Sequence, residues 1–186
     1  MTNPVLVSKA YAFAAERHTD QRRKGLKKEP YINHLVEVAD LVTAATGGSD
    51  PNLTAAAALH DTMEDTGTTY QELEKIFNKD VADLVAEVTD DKSLPKQARK
   101  DLQVRKTPGK SSRAKIIKIA DKISNLRSIV KSPPGDWSVE RKRKYLEWAR
   151  QVVAGARGVN ASLDTLFNQA ALELEAELDG SSQPPR

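Results

Sequence analysis

Four short stretches of this chain hold the residues that could do chemistry. They are Pro30-Tyr31-Ile32-Asn33-His34, Leu59-His60-Asp61, Glu64-Asp65, and Lys118-Ile119-Ala120-Asp121-Lys122-Ile123-Ser124-Asn125-Leu126-Arg127. Together His34, His60, Asp61 and Asp121 offer two imidazoles and two carboxylates to one divalent ion. A second carboxylate pair, Glu64 and Asp65, follows four residues behind His60 and Asp61. Such an ion polarises a phosphoryl oxygen and acidifies a bound water. A neighbouring carboxylate can orient or deprotonate that water. The chemistry implied is metal-assisted hydrolysis of a phosphate compound.

The donor types narrow the ion. Imidazole and carboxylate without thiolate suit Mn²⁺, Fe²⁺, Zn²⁺ or Mg²⁺, and imidazole argues against Ca²⁺. Adjacent helical residues point about 100° apart, so His60 and Asp61 can grip an ion only from its edge. The other ligands must come from other helices. Asp121 stands among isoleucines, where an unpaired carboxylate is costly. A metal would neutralise it, and so would a buried salt bridge to Lys or Arg. Glu64 and Asp65 are expected on the same helix face as His60 and Asp61, one turn on. The competing reading has them cap the turn at Thr66-Gly67.

Positioning such a set takes rigid elements, and the pattern is helical. Asn3-Pro4 reads as an N-cap with proline at the first helical position. Val5, Leu6, Ala10, Phe13 and Ala14 carry that helix to about His18. Residues 19–30, polar and basic with Gly25 and Pro30, read as a loop. A second helix starts at His34, buries Leu35, Val38, Ala39, Leu41 and Val42, and stops at Gly47-Gly48. Asp50-Pro51 repeats the cap-plus-proline signal for a third helix through Leu53, Ala56, Ala57, Leu59 and His60. Thr69-Tyr70-Gln71-Glu72 is a capping box for a short helix to Phe77. Val81, Leu84, Val85 and Val88 mark the next.

After a polar turn from Thr89 to Leu94, Pro95 starts a helix that Thr107-Pro108-Gly109 breaks. Ile116 to Val130 form a strongly buried helix closed by Pro133-Pro134-Gly135-Asp136. Ser138 caps a long helix containing Tyr145, Leu146, Trp148, Val152 and Val153, and an amphipathic helix runs from about Val159 to Leu178. No strand-period pattern competes over a useful length. The expectation is an all-α, single-domain bundle over residues 1–178, with residues 179–186 as a flexible tail.

Composition bounds the rest. A chain of 186 residues fits one domain with a real core. Aromatics make up only 5%, so Ala, Leu, Val and Ile must fill that core. The absence of cysteine excludes disulfides, thiolate zinc sites and cysteine nucleophiles. The longest apolar stretch, Ala55 to Leu59, falls far short of a membrane span. The N-terminus lacks the pattern of a signal peptide, which makes a cytoplasmic protein the default.

Basic residues crowd two places, Arg22 to Lys28 and Lys92 to Lys110. Solvated faces would account for both, and a nucleic-acid surface has no reader motif behind it. An anionic small-molecule site gains weight because the first cluster lies just before His34.

The ordered set of motifs resembles the HD-domain phosphohydrolases. Within them it is similar to the guanosine-3′,5′-bis(diphosphate) 3′-pyrophosphohydrolases of the RelA/SpoT type, above all the small hydrolase-only members such as the metazoan SpoT homologue. The matching stretches are Gln21-Arg22-Arg23-Lys24, the four above, Ala58 and Thr62 around His60-Asp61, Val88-Thr89-Asp90-Asp91-Lys92, Leu94-Pro95-Lys96, and Gly135-Asp136-Trp137-Ser138 on to Arg141, Tyr145 and Trp148. They span roughly residues 5–170.

The resemblance implies a helical HD-domain bundle, one Mn²⁺ ion, and removal of pyrophosphate from the 3′ position of (p)ppGpp to give GDP or GTP. It makes His34, His60, Asp61 and Asp121 the metal ligands and gives Glu64 and Asp65 the water. Arg23, Lys24, Tyr31, Lys92, Lys96, Asn125, Arg141 and Tyr145 would line the nucleotide and phosphate pocket. A bis-diphosphate needs several cations, and Tyr31 could stack on a base. His18 matches a family habit at the end of the first helix.

The chain departs from the family at three places. Leu35 stands where proline is common. Gly25-Leu26-Lys27-Lys28-Glu29 replaces a shorter Ser-Gly-Glu. Ser124 stands where long members have His and small ones often Tyr or Cys. These bear on the base pocket and substrate preference, and none removes a ligand. The length, without room for a synthetase or regulatory region, sets the expectation of a dedicated hydrolase. Its partner would be a small-molecule nucleotide, with no nucleic acid and no membrane, and the apolar faces of its long helices suit a homo-oligomer. Two rival readings are a nucleotide phosphatase acting on another ribose phosphate, such as that of NADPH, and a non-catalytic alarmone-binding module.

Overall fold

Side-chain caps set the starts of most helices. A computed structural model describes residues 3–180, and all its regular elements longer than an isolated bridge are helical. In order they are α1 (Pro4–Arg17), α2 (Ile32–Thr46), α3 (Pro51–Leu59), α4 (Thr62–Asp65), α5 (Tyr70–Ile76), α6 (Lys79–Val88) and α7 (Lys96–Lys106). A 3₁₀ turn (Thr107–Gly109) leads to α8 (Ser112–Lys131), α9 (Val139–Ala154) and α10 (Ala161–Gly180). The expected all-α architecture is what forms.

Asn3 Oδ1 accepts from the Leu6 N–H at 3.1 Å, and Asp50 Oδ1 from the Leu53 N–H at 2.9 Å, each just ahead of a first-turn proline. Ser138 does the same for α9 through the Arg141 N–H at 3.1 Å. Thr69 completes half of its capping box by accepting from Glu72 N–H at 3.2 Å, while the Glu72 carboxylate turns instead to Arg17. Gly47, with φ +61°, closes α2 in the left-handed conformation that glycine adopts without penalty.

Helices α2 and α10 differ in extent from expectation. Helix α2 begins two residues before His34, at Ile32, so the imidazole sits inside the first turn. Helix α10 starts at Ala161, capped by Asn160, and continues to Gly180. Asp179, placed in the tail by the sequence pattern, is helical and bonds Arg143 at 2.7 Å. Residues 181–186 of that expected tail lie outside the described residues.

Helix α8 occupies the centre, packed on α2 on one side and α10 on another. Ala55, Ala56, Ala57 and Ala58 of α3 are fully buried, and these small side chains let α1, α2 and α6 close around it. The metal-ligand candidates His34, His60 and Asp121 therefore sit on, or directly after, helices packed at the centre of the molecule. Among the described residues no helix is long and apolar enough to cross a membrane.

Arg113 ties three elements together. Its guanidinium meets Asp80 of α6 twice at 2.8 Å and Asp50, the α3 cap, at 2.8 Å. Hydrogen bonding from Arg113 holds the Asp80 carboxyl below its ordinary value. A carboxyl depressed by folding adds stability above its unfolded pKa of about 4 and loses it as pH falls through the folded value. Asp80→Asn should therefore lower the Tm at pH 7, and the gap to wild type should narrow as pH drops below about 4. Thermal unfolding of both proteins across pH 3–7 checks this, and a pH-independent gap would contradict it.

Candidate active site

His34 in the first turn of α2, His60 at the end of α3, and Asp121 in the middle of α8 bring their donor atoms within 4.8 Å of one another. His34 Nε2 lies 3.3 Å from Asp121 Oδ1, and His60 Nε2 lies 3.9 Å from the same oxygen. Asp61 joins them through Oδ2, 3.1 Å from His60 Nε2 and 3.7 Å from His34 Nε2. The Tyr31 hydroxyl donates to that Asp61 oxygen at 2.7 Å.

The donor set fits a divalent cation. His60 Nδ1 donates to the Ala57 carbonyl at 2.8 Å, which leaves the lone pair on Nε2. That nitrogen is buried without a hydrogen-bond partner, despite its closeness to Asp61. An orphaned buried acceptor facing two carboxylates is costly unless a cation lies between them. In the absence of metal a proton can serve. Burial lowers the His60 pKa, but Asp61 and Asp121 outweigh burial and hold it up at about 8. Burial raises both carboxyls, yet His60 pulls Asp61 well below its usual range, and Lys122 does the same for Asp121. Both aspartates are thus anionic at neutral pH.

Of the two expected ways of neutralising Asp121, the buried salt bridge forms. Asp121 Oδ2 accepts from the Lys122 ammonium at 2.7 Å, and its Oδ1, which faces both imidazoles, accepts from the Asn125 amide at 2.6 Å. Lys122 was not singled out from the sequence. It is buried, and its ammonium also lies 4.5 Å from the centre of the Trp148 ring. Lys118 and Lys122 stand one turn apart in an isoleucine-rich helix, and the structure buries both.

The continuous helix expected through His60, Asp61, Glu64 and Asp65 is corrected by the structure. Helix α3 stops at Leu59, Asp61 turns to φ −101°, ψ −2°, and α4 restarts as a single turn. The Thr62 hydroxyl donates back to the Leu59 carbonyl at 2.7 Å, competing with the helical ladder.

Neither carboxylate caps the Thr66-Gly67 turn. Glu64 accepts from the Asp90 N–H at 3.2 Å and lies 3.5 Å from Arg99. Asp65 accepts from the Gln21 amide at 2.7 Å and pairs with Lys92. Burial, then the negative charges of Asp61 and Asp90, push the Glu64 carboxyl up. That is the direction a general base requires.

Two adjoining cavities, about 450 and 610 Å³, share Lys24, Tyr31, Glu64, Asn125 and Tyr145. Arg23 and Lys92 line the first, and Lys96 and Arg141 line the second, which also reaches His60, Asp61 and Asp121. All eight pocket residues expected from the sequence therefore face one or both cavities. The Tyr31 ring stacks on His18 at 5.2 Å, the Arg23 guanidinium lies 5.5 Å from its centre, and its hydroxyl holds Asp61. Asn125 bridges Arg23, at 2.9 Å, to Asp121.

Burial and then Arg141 and Lys24 lower the Lys96 pKa, and burial and then Lys96 and Lys122 lower that of Lys100. Such a concentration of like charge is relieved by a polyanion. Burial pushes Tyr145 up to about 12, which keeps its hydroxyl protonated as a donor.

Comparison with known proteins gives a consistent result. Residues 10–150 match the HD domain family. The guanosine-3′,5′-bis(diphosphate) 3′-pyrophosphohydrolase MESH1 of Xenopus tropicalis is 47% identical over 163 residues, covering 88% of this chain and 91% of its own length. The human MESH1 is 48% identical over 166 residues, covering 87% and 93%. A solved structure described as a metazoan ortholog of SpoT that hydrolyses ppGpp superposes with a TM-score of 0.87 at 40% identity, over 91% of this chain and 96% of that one.

Proposed function

Since the chain belongs to the HD-domain family, alongside relatives of the MESH1 type, we propose that it is a hydrolase that cleaves (p)ppGpp at the 3′-diphosphate, leaving GDP or GTP and releasing pyrophosphate. The observation that carries the proposal is the convergence of His34, His60 and Asp121 within 4.8 Å, with His60 and Asp121 opening onto a cavity that Glu64, Lys96 and Arg141 also line. A bis-diphosphate is the kind of ligand such a site suits: one phosphorylated arm at the metal centre and another among lysines and arginines. A free cytoplasmic nucleotide is the substrate this reading assigns.

His34, His60, Asp61 and Asp121 would hold one Mn²⁺. A bound Mn²⁺ supplies Lewis acidity to the phosphoryl oxygens and lowers the pKa of water. Glu64 accepts the proton of the attacking water, its raised pKa matching it to that task. Asp65, fixed by Gln21 and Lys92, orients the same water. The water oxygen forms a new bond to phosphorus as the bond from phosphorus to the ribose 3′-oxygen breaks, and that oxygen keeps the electron pair and takes a proton from solvent to become the 3′-hydroxyl of GDP or GTP. Tyr31 and Lys122 hold Asp61 and Asp121 in place throughout. Lys96 and Arg141 bind phosphate away from the reacting centre.

Product analysis separates this from the rival phosphatase reading. With ppGpp and MnCl₂ the expected phosphorus product is pyrophosphate. Turnover of NADPH to orthophosphate, with ppGpp left intact, would instead select the phosphatase. Lys96→Ala should raise KM for ppGpp more than it lowers kcat, because it removes binding shared by ground and transition states. A fall in kcat with unchanged KM would move Lys96 into the reacting centre.

A further inference from the structure

We infer that Ser124, Glu37 and Arg127 form a side-chain relay that fixes His34 in the tautomer and orientation of a metal ligand, with Ser124 and Glu37 as its positioning residues. The inference rests on the metal-centre reading and is independent of the substrate's identity.

His34 is buried, and its Nδ1 lies 2.8 Å from Ser124 Oγ. The same hydroxyl donates to Glu37 Oε2 at 2.6 Å, and Arg127 meets the other Glu37 oxygen at 3.3 Å. A carboxylate has no proton to give, so the serine proton is committed to Glu37. The Ser124 oxygen can then only accept from His34, and Nδ1 must carry the imidazole hydrogen. Nε2 is left with its lone pair, 3.3 Å from Asp121 Oδ1 and 3.7 Å from Asp61 Oδ2.

The two histidines are held differently. His60 rests on the main-chain carbonyl of Ala57, which no side-chain substitution removes. His34 depends on side chains alone. Helical spacing delivers them: Glu37 follows His34 by three residues on α2, and Ser124 follows Asp121 by three on α8. Arg127 lies three further on. One face of α8 thus supplies a carboxylate to the ion and a hydroxyl to the imidazole opposite. Ser124 is 1% exposed, and its hydroxyl spans to α2 where a mid-helix serine often bonds its own backbone. Partners of this kind typically change metal affinity about 10–100-fold when removed.

The test is a Mn²⁺ titration of metal-stripped protein by calorimetry, comparing wild type, Ser124→Ala, Ser124→Thr and Glu37→Ala. Ser124→Ala and Glu37→Ala should weaken the Kd for Mn²⁺ about 10–100-fold, and Ser124→Thr, which keeps the hydroxyl, should stay near wild type. Glu37 is partly exposed, so Glu37→Ala reports on the relay even if Ser124→Ala fails to fold. Wild-type affinity in Ser124→Ala or Glu37→Ala overturns the relay while leaving the metal centre standing. So does a Ser124→Thr as weak as Ser124→Ala, because packing and not the hydroxyl would then matter. A wild-type protein that binds no Mn²⁺ overturns the metal centre and the relay together.

Discussion

Asp121→Ala should abolish both metal binding and turnover. Asp121 Oδ1 faces both imidazoles, so its removal takes away the one carboxylate oxygen near His34 Nε2 and His60 Nε2 that Tyr31 does not also engage. The change also strands Lys122, a buried ammonium whose 2.7 Å partner is Asp121 Oδ2. Breaking one side of a buried ion pair typically costs about 3–5 kcal/mol, so lost activity could reflect unfolding. Asp121→Asn separates the two effects. It keeps the shape and an acceptor for Lys122 but lowers the charge of the ligand set. Metal content after Mn²⁺ loading and desalting, read beside the Tm, checks both variants. Full activity in folded Asp121→Ala would remove Asp121 from the metal centre.

Glu64→Gln should leave the ion bound and slow kcat by about 10²–10⁴-fold. Glutamine can still accept from the Asp90 N–H, so the local fold survives, but it cannot take a proton from water. Glu64 is chosen over Asp65 because burial and the charges of Asp61 and Asp90 raise its pKa, while Asp65 is engaged on both oxygens by Gln21 and Lys92. Asp65→Asn should accordingly cost less in kcat than Glu64→Gln. Rapid-quench turnover at saturating Mn²⁺ measures both. The reverse order would exchange their roles.

Much of the architecture was legible because helix starts are local events. Asn3, Asp50, Thr69 and Ser138 each cap the backbone three residues on, as their types and spacing predict. The metal candidates were legible for a different reason: His and Asp among small and branched apolar residues have few other uses. What the sequence concealed depended on tertiary partners. The break between α3 and α4 turns on the Thr62 hydroxyl choosing the Leu59 carbonyl, which no periodicity reports. The last two residues of α10, beyond the expected end, are supported by Arg143 reaching Asp179 from a neighbouring helix. Lys122 was overlooked because lysine is seldom buried, and only the folded chain places it between Asp121 and Trp148. Gln21, quoted from the sequence only within the matching stretch Gln21-Arg22-Arg23-Lys24 and given no role, fixes Asp65.

Metal-dependent cleavage at the 3′ position is measured most directly by turnover of ppGpp by protein stripped with EDTA, dialysed, and then refilled with MnCl₂, with nucleotide and phosphorus products resolved. The stripped protein should show no turnover, and GDP and pyrophosphate should appear in equal amounts once Mn²⁺ is restored. Equal turnover in the stripped and refilled samples, or orthophosphate as the first product, would contradict metal-dependent cleavage at that position.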